Sequence, residues 1–170
     1  VTPLQLMRAA SAVVNGGTLV TPHFGLYSTD ENNHITEVFS YPEKENAVST
    51  ATSETMKELL EAVVAEGTGH RAYIDGYRIG GKTATSEKLP RSEHRYISSF
   101  LGFAPADHPQ VMTLILIDEP QGTYYGGTIA APVVGEIYDN ILAYLGIRKE
   151  NHAVDENETT ETISIEDAVF

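Results

Sequence analysis

Two apolar runs, Tyr96-Ile97-Ser98-Ser99-Phe100-Leu101-Gly102-Phe103 and Val111-Met112-Thr113-Leu114-Ile115-Leu116-Ile117, constrain the fold of this chain more than any other feature. Only the turn-rich connector Ala104-Pro105-Ala106-Asp107-His108-Pro109 separates them. Strands joined so closely pair antiparallel, because a parallel crossover needs about a dozen residues or more. Upstream, the β-branched and aromatic stretch Ala72–Ile79 leads into Gly80-Gly81-Lys82-Thr83-Ala84-Thr85-Ser86. The lysine is therefore expected on or just after an extended segment. Lysine strand and hairpin together predict a three-stranded antiparallel meander.

A lysine beside two hydroxyls and small residues can hold an anion. The ammonium supplies charge, Thr83 and Thr85 supply short donors, and small neighbours let a ligand approach the backbone. Gly76 to Thr83 also fits the phosphate-binding pattern G-x-x-x-x-G-K-[ST], and Leu114–Glu119 resembles an apolar strand ending in a magnesium-binding aspartate. A P-loop, however, must open into a helix whose N-terminus faces the phosphates. Ala84 to Arg95 has no apolar period and carries Pro90. Tyr77-Arg78-Ile79 is also bulky where the cradle needs small residues. The meander is the wrong topology for a nucleotide-binding sheet, and P-loop ATPase chemistry stays a remote alternative.

Three helices are expected around the sheet. The first begins at Thr2-Pro3, with Gln5 placed to complete a capping box, and ends at Gly16-Gly17. The second carries Met56, Leu59, Leu60, Val63 and Val64 on one face and stops at Gly67. The third starts near Pro132, carries Val134, Ile137, Tyr138, Ile141 and Leu145, and stops at Gly146. Leu19-Val20 and Phe24–Leu26 read as short extended pieces, and residues 28–48 as a surface hairpin or insertion. The fold class is α/β (α+β), an antiparallel sheet flanked by helices.

Charge is uneven along the chain. Of the net −13, seven acids and no Lys or Arg lie after Lys149, leaving 17 acids against 11 bases in the body. That balance gives no footprint for nucleic acid or anionic lipid. Domain organisation reads as one unit over residues 1–148, followed at 149–170 by an acidic linker or tail that leads towards a further small module at Thr162-Ile163-Ser164-Ile165. The six histidines show no ligand spacing, so no metal or other cofactor is expected. With 41% hydrophobic residues, no cysteine, no membrane-length apolar run and an opening Val-Thr-Pro, the chain reads as a piece of an exported protein whose anchor lies upstream.

Seven motifs occur in order: Val1-Thr2-Pro3-Leu4-Gln5-Leu6; Val13-Val14-Asn15-Gly16-Gly17; Gly67-Thr68-Gly69; Gly80-Gly81-Lys82-Thr83-Ala84-Thr85; Ser99-Phe100-Leu101-Gly102-Phe103-Ala104-Pro105; Ile117-Asp118-Glu119-Pro120; and Tyr124-Tyr125-Gly126-Gly127 with Ala130-Ala131-Pro132. Over residues 1–147 they resemble the C-terminal part of a class B penicillin-binding protein, of the cell-division or sporulation type. The family's usual triplet is Lys-Thr-Gly, so Ala84 stands where glycine is expected. Its Ser-x-x-Lys and Ser-x-Asn motifs would lie upstream of Val1.

The resemblance implies serine acyl transfer on the D-alanyl-D-alanine end of a peptidoglycan stem peptide, outside the bacterial cell membrane, with β-lactams as mimics. Lys82 would supply positive field and hold the serine of the missing Ser-x-Asn. The Thr83 and Thr85 hydroxyls would take the terminal carboxylate, Ala84 would stand with them among the substrate-binding residues, and the Thr85 backbone N–H would complete the oxyanion hole with the nucleophile's own N–H. The implied partners are the stem peptide, β-lactams and the upstream half of the same domain, and the fragment alone would be inactive. A β-lactamase or β-lactam sensor of the same fold is an alternative, as is a noncatalytic structural module. Asp118-Glu119 reads as an acid pair or, more simply, a turn after a strand. Tyr124–Gly127 reads as a loop beside the lysine strand, and Glu87 and Arg95 as candidates for the cleft rim.

Overall fold

In the computed structural model, which describes residues 1–150, helix α1 spans Pro3–Val14. Its capping box forms as the sequence requires. The Thr2 hydroxyl accepts the Gln5 amide at 3.2 Å, and the Gln5 side chain accepts the Thr2 amide at 2.8 Å. Gly16 and Gly17 both adopt positive φ and turn the chain out of the helix. A hairpin follows, with β1 at Tyr27–Thr29 and β2 at Ile35–Val38, inside the expected insertion. Its turn is closed by the Asp30 carboxylate, which accepts the amides of Asn32 and His34, while Asn33 takes positive φ. Leu19 pairs with Lys44 in an isolated bridge at the hairpin's base.

Helix α2 runs from Thr50 to Ala65 behind a Ser49 cap. Val64 is its buried residue from the expected stripe, whereas Leu59 is 57% exposed. Met56, Leu60 and Val63 are half-buried beside Val64, so Leu59 is the one member of the expected face that turns outward. After a 3-10 turn at His70–Ala72 the chain does not run straight into a strand. Ile74 and Tyr77 pair across a tight turn at Gly76, whose φ is +79°, so the expected extended segment 72–79 is bent in its middle.

Strand β3 is Gly80–Glu87, β4 is Tyr96–Ala104 and β5 is Val111–Asp118. They form an antiparallel sheet in the order β3-β4-β5, as the short connector demanded. A four-residue helix α3, Gly126–Ile129, leads into α4, Ala131–Ile141. The expected third helix is α4, and α3 is an additional turn ahead of it. Helix α4 ends at Ile141 rather than Gly146, so Leu142 is buried and Leu145 is 47% exposed.

Alternation along β4 divides the core. Phe100 packs with Val64, Val134 and Tyr138. Phe103 packs with Val14 and Ala106 on the other face. Directly paired residues of an antiparallel ladder share a face. Thr83 opposite Phe100 and Thr85 opposite Ser98 therefore lie on the α3–α4 side, and Lys82 opposite Leu101 and Ala84 opposite Ser99 on the other. The glycines agree with that division. A Cβ on Gly81 would strike Phe100, and one on Gly80 would strike Phe103.

Candidate active site

Strand β3 is an edge. Among the described residues its one strand partner is β4, so its other edge is open along Lys82 to Glu87. Lys82, Ala84 and Thr85 are exposed and Thr83 is half-buried. The whole Gly-Gly-Lys-Thr sequence lies inside the strand, and no α-helix follows it before Tyr96. That geometry removes the phosphate-cradle reading, which needs the lysine at a loop-to-helix junction.

Beside the threonine face lies a cleft of about 540 Å³, lined by Gly67, Thr68, His70, Arg71, Thr83, Ala84, Thr85, Tyr125, Gly126, Gly127 and Thr128. Three of the sequence-predicted residues, Thr83, Ala84 and Thr85, come together on its wall. Lys82 does not line it. Its side chain leaves β3 from the opposite face, and its ammonium donates to the Thr83 carbonyl at 2.7 Å. A ligand lying along the open edge would meet hydroxyls from one face and the ammonium from the other.

The floor of the cleft is built by glycine. The Gly126 amide donates to the Thr85 hydroxyl at 3.1 Å, and a Cβ there would collide with the carbonyls of Ser99 and Ala84. A Cβ on Gly127 would collide with the Thr68 carbonyl and crowd the Thr83 methyl. Tyr124-Tyr125-Gly126-Gly127 is thus partly loop and partly the start of α3, seated directly on the strand. Ser98, wholly buried opposite Thr85, donates to the Tyr124 carbonyl and holds the segment down. Tyr124 stacks between Tyr96 at 4.1 Å and Tyr125 at 4.7 Å, and Tyr125 stays 57% exposed at the rim.

Thr68 and Arg71 are cleft residues that sequence reasoning did not assign. The Thr68 hydroxyl is 3.1 Å from that of Thr83. The signal for Thr68 was its place in Gly67-Thr68-Gly69, while nothing in the pattern marked Arg71.

Asp118 and Glu119 form a turn with structural ion pairs. Glu119 has φ 51° and binds Lys88 and Arg95, each at 2.7 Å, and Asp118 binds Lys88 at 2.9 Å. Lys88, then Arg95, holds the Glu119 carboxyl below the usual carboxylate range, and Glu119 raises Lys88 above the usual lysine range. Glu87 faces His94 at 3.4 Å, and Arg95 faces Glu93 at 2.7 Å, so both belong to the β3–β4 connection and not to the cleft lining.

The penicillin binding protein transpeptidase domain family matches residues 1–139. The chain belongs to that family. Stage V sporulation protein D of Bacillus subtilis is 41% identical across 99% of the chain, which spans 27% of that protein's length. The peptidoglycan D,D-transpeptidase FtsI of Buchnera aphidicola is 32% identical across 88% of the chain, 26% of its own length. Among solved structures, penicillin binding protein 3 of Mycobacterium tuberculosis complexed with ampicillin matches with a TM-score of 0.77 at 25% identity, covering 91% of this chain and 37% of that one. The transpeptidase domain from Eggerthella lenta matches with a TM-score of 0.72 at 26% identity, over 85% of this chain and 32% of that one. Helices on both faces of an antiparallel sheet are therefore the penicillin-binding transpeptidase fold.

Proposed function

We propose that this chain is the C-terminal part of a serine D,D-transpeptidase domain that cross-links peptidoglycan stem peptides, working on the outer face of the bacterial membrane. One observation carries the reading. The open edge of β3 presents two threonine hydroxyls to a cleft and an ammonium from its other face, which suits a ligand ending in a carboxylate beside an electrophilic carbonyl.

In this reading the D-alanyl-D-alanine end lies along β3. The Thr83 and Thr85 hydroxyls donate to the terminal carboxylate. Thr85 can do so because its oxygen accepts the Gly126 amide and its proton stays available. The Lys82 contact to the Thr83 carbonyl sets that carbonyl at the open edge, and alternation then brings the Thr85 backbone N–H to the same edge as an oxyanion donor. A serine from a preceding segment, packed on the Lys82 face, attacks the penultimate carbonyl and expels D-alanine. The acyl group then passes to an amine of a neighbouring strand. β-Lactams enter by mimicking the same end. Residues 149–170 are proposed to link to a further module, and those after 150 lie outside the described residues.

The test is labelling with a fluorescent penicillin followed by peptide mapping. The full-length protein is expected to carry the label on one serine outside residues 1–170, and the 170-residue chain alone to carry none. A label on any serine or threonine within the chain would overturn the assignment.

A further inference from the structure

We infer that Arg71 supplies the formal positive charge for the ligand's carboxylate, an inference that rests on the acyl-transfer reading above and sharpens it. Arg71 is the one side chain of fixed charge among the described residues lining the cleft. Lys82, the cation expected there, leaves β3 from the opposite face and donates to the Thr83 carbonyl. A carboxylate held by hydroxyls alone keeps its charge uncompensated, and a guanidinium in hydrogen-bond reach roughly doubles the strength of such contacts.

The backbone of α3 acts as a ruler for its position. Gly126 lies under Thr85, Gly127 under Thr83 and Thr68, and the Thr128 carbonyl accepts from the Arg71 guanidinium at 3.4 Å. Arg71 therefore reaches the same α3 backbone that meets Thr83 and Thr85, and lines the cleft with them. Its single long bond to Thr128 leaves most of its five N–H donors unused. Among the described residues no carboxylate lies within ion-pair distance of it, whereas Arg78 and Arg95 are both paired. Glu136 and Asp139 share a second cavity with Arg71 and form no ion pair with it. The 3-10 turn at His70–Ala72 fixes the backbone, since Ala72 is wholly buried and the Arg71 carbonyl lies 3.2 Å from where a Gly135 Cβ would be. A preset backbone with an unused guanidinium beside hydroxyls is a carboxylate receptor.

The experiment compares acylation rates of the full-length protein by benzylpenicillin and by its methyl ester, which lacks the charge. Wild type should react much faster with the acid. Arg71→Ala should lower the acid rate about tenfold or more, the order for a hydrogen bond to a charged group. The ester rate should stay within about twofold, and Arg71→Lys should restore part of the acid rate. Equal losses for acid and ester would overturn the inference, because Arg71 would then serve only to hold Thr128. An unchanged acid rate in Arg71→Ala would overturn it as well. Wild type that fails to react with either compound would sink the acyl-transfer reading, and this inference with it.

Discussion

The Thr85 hydroxyl accepts the Gly126 amide at 3.1 Å, and this bond ties the ligand-facing edge strand to the glycine pair that floors the cleft. In the proposed reading, carboxylate recognition and the docking of α3 share this one oxygen atom. Gly126→Ala places a methyl against two carbonyls of the sheet, those of Ser99 and Ala84, and the strand cannot retreat without breaking its ladder. The expected cost is about 1–3 kcal/mol, read as a lowered urea midpoint, together with slower acylation by penicillin. An unchanged midpoint would mean that α3 is not held where the structure places it.

Thr83→Val and Thr85→Val separate the two duties. Thr83→Val loses a partner for Thr68 at the cleft surface and should weaken acid-ligand acylation with little change in stability. Thr85→Val should do the same and also lose about 1 kcal/mol, because the Gly126 amide is left without an acceptor. Denaturation curves and acylation rates of both variants check the difference.

Lys82→Ala in the full-length protein should lower acylation by about 10²-fold, the order expected for a lost preorganised charge. Its Tm should hold, since the side chain is exposed and, among the described residues, bonds only its neighbour's carbonyl. Acylation at the wild-type rate would remove Lys82 from the site.

Ala84 lies in regular strand with its Cβ on the face opposite the two threonines. Ala84→Gly should change acylation less than about threefold, below roughly 0.7 kcal/mol. A tenfold gain would show that the methyl reaches into the ligand's slot.

The meander, the capping box and the order of the helices were legible because each follows from local chemistry: a six-residue connector, a Thr-Pro start and Gly stops. The lysine strand starts later than its propensities suggest. Ala72–Ile79 has β-forming residues, but Gly76 at φ +79° lets the chain fold back between Ile74 and Tyr77, and pairing begins at Gly80. Helix α3 was invisible because Gly126 and Gly127 are poor helix formers, chosen for close approach to backbone. Leu59 matched the helical period yet faces outward, since period alone does not say how wide the covered stripe is. The threonine wall could be read from a motif. The place of Arg71 in the cleft could not, because its contact is with a neighbour 57 positions away in sequence.

Glu119 gives a pH dependence with a definite sign. Its folded-state carboxyl lies below the ordinary value, chiefly through Lys88 and then Arg95. The stability it contributes is present above the ordinary glutamate range and lost as pH falls through the depressed value. Glu119→Gln should therefore be less stable than wild type at neutral pH, and the gap should close on acidification. A gap that stays constant from neutral to acid pH would mean that the ion pairs with Lys88 and Arg95 contribute nothing.

The structure of the full-length protein acylated by a penicillin measures the site most directly. Acyl transfer along β3 requires the adduct's carboxylate within hydrogen-bond distance of the Thr83 and Thr85 hydroxyls, with the acyl oxygen on the Thr85 backbone N–H. A carboxylate that lies away from both threonines, or an acyl oxygen turned from the β3 edge, would contradict it.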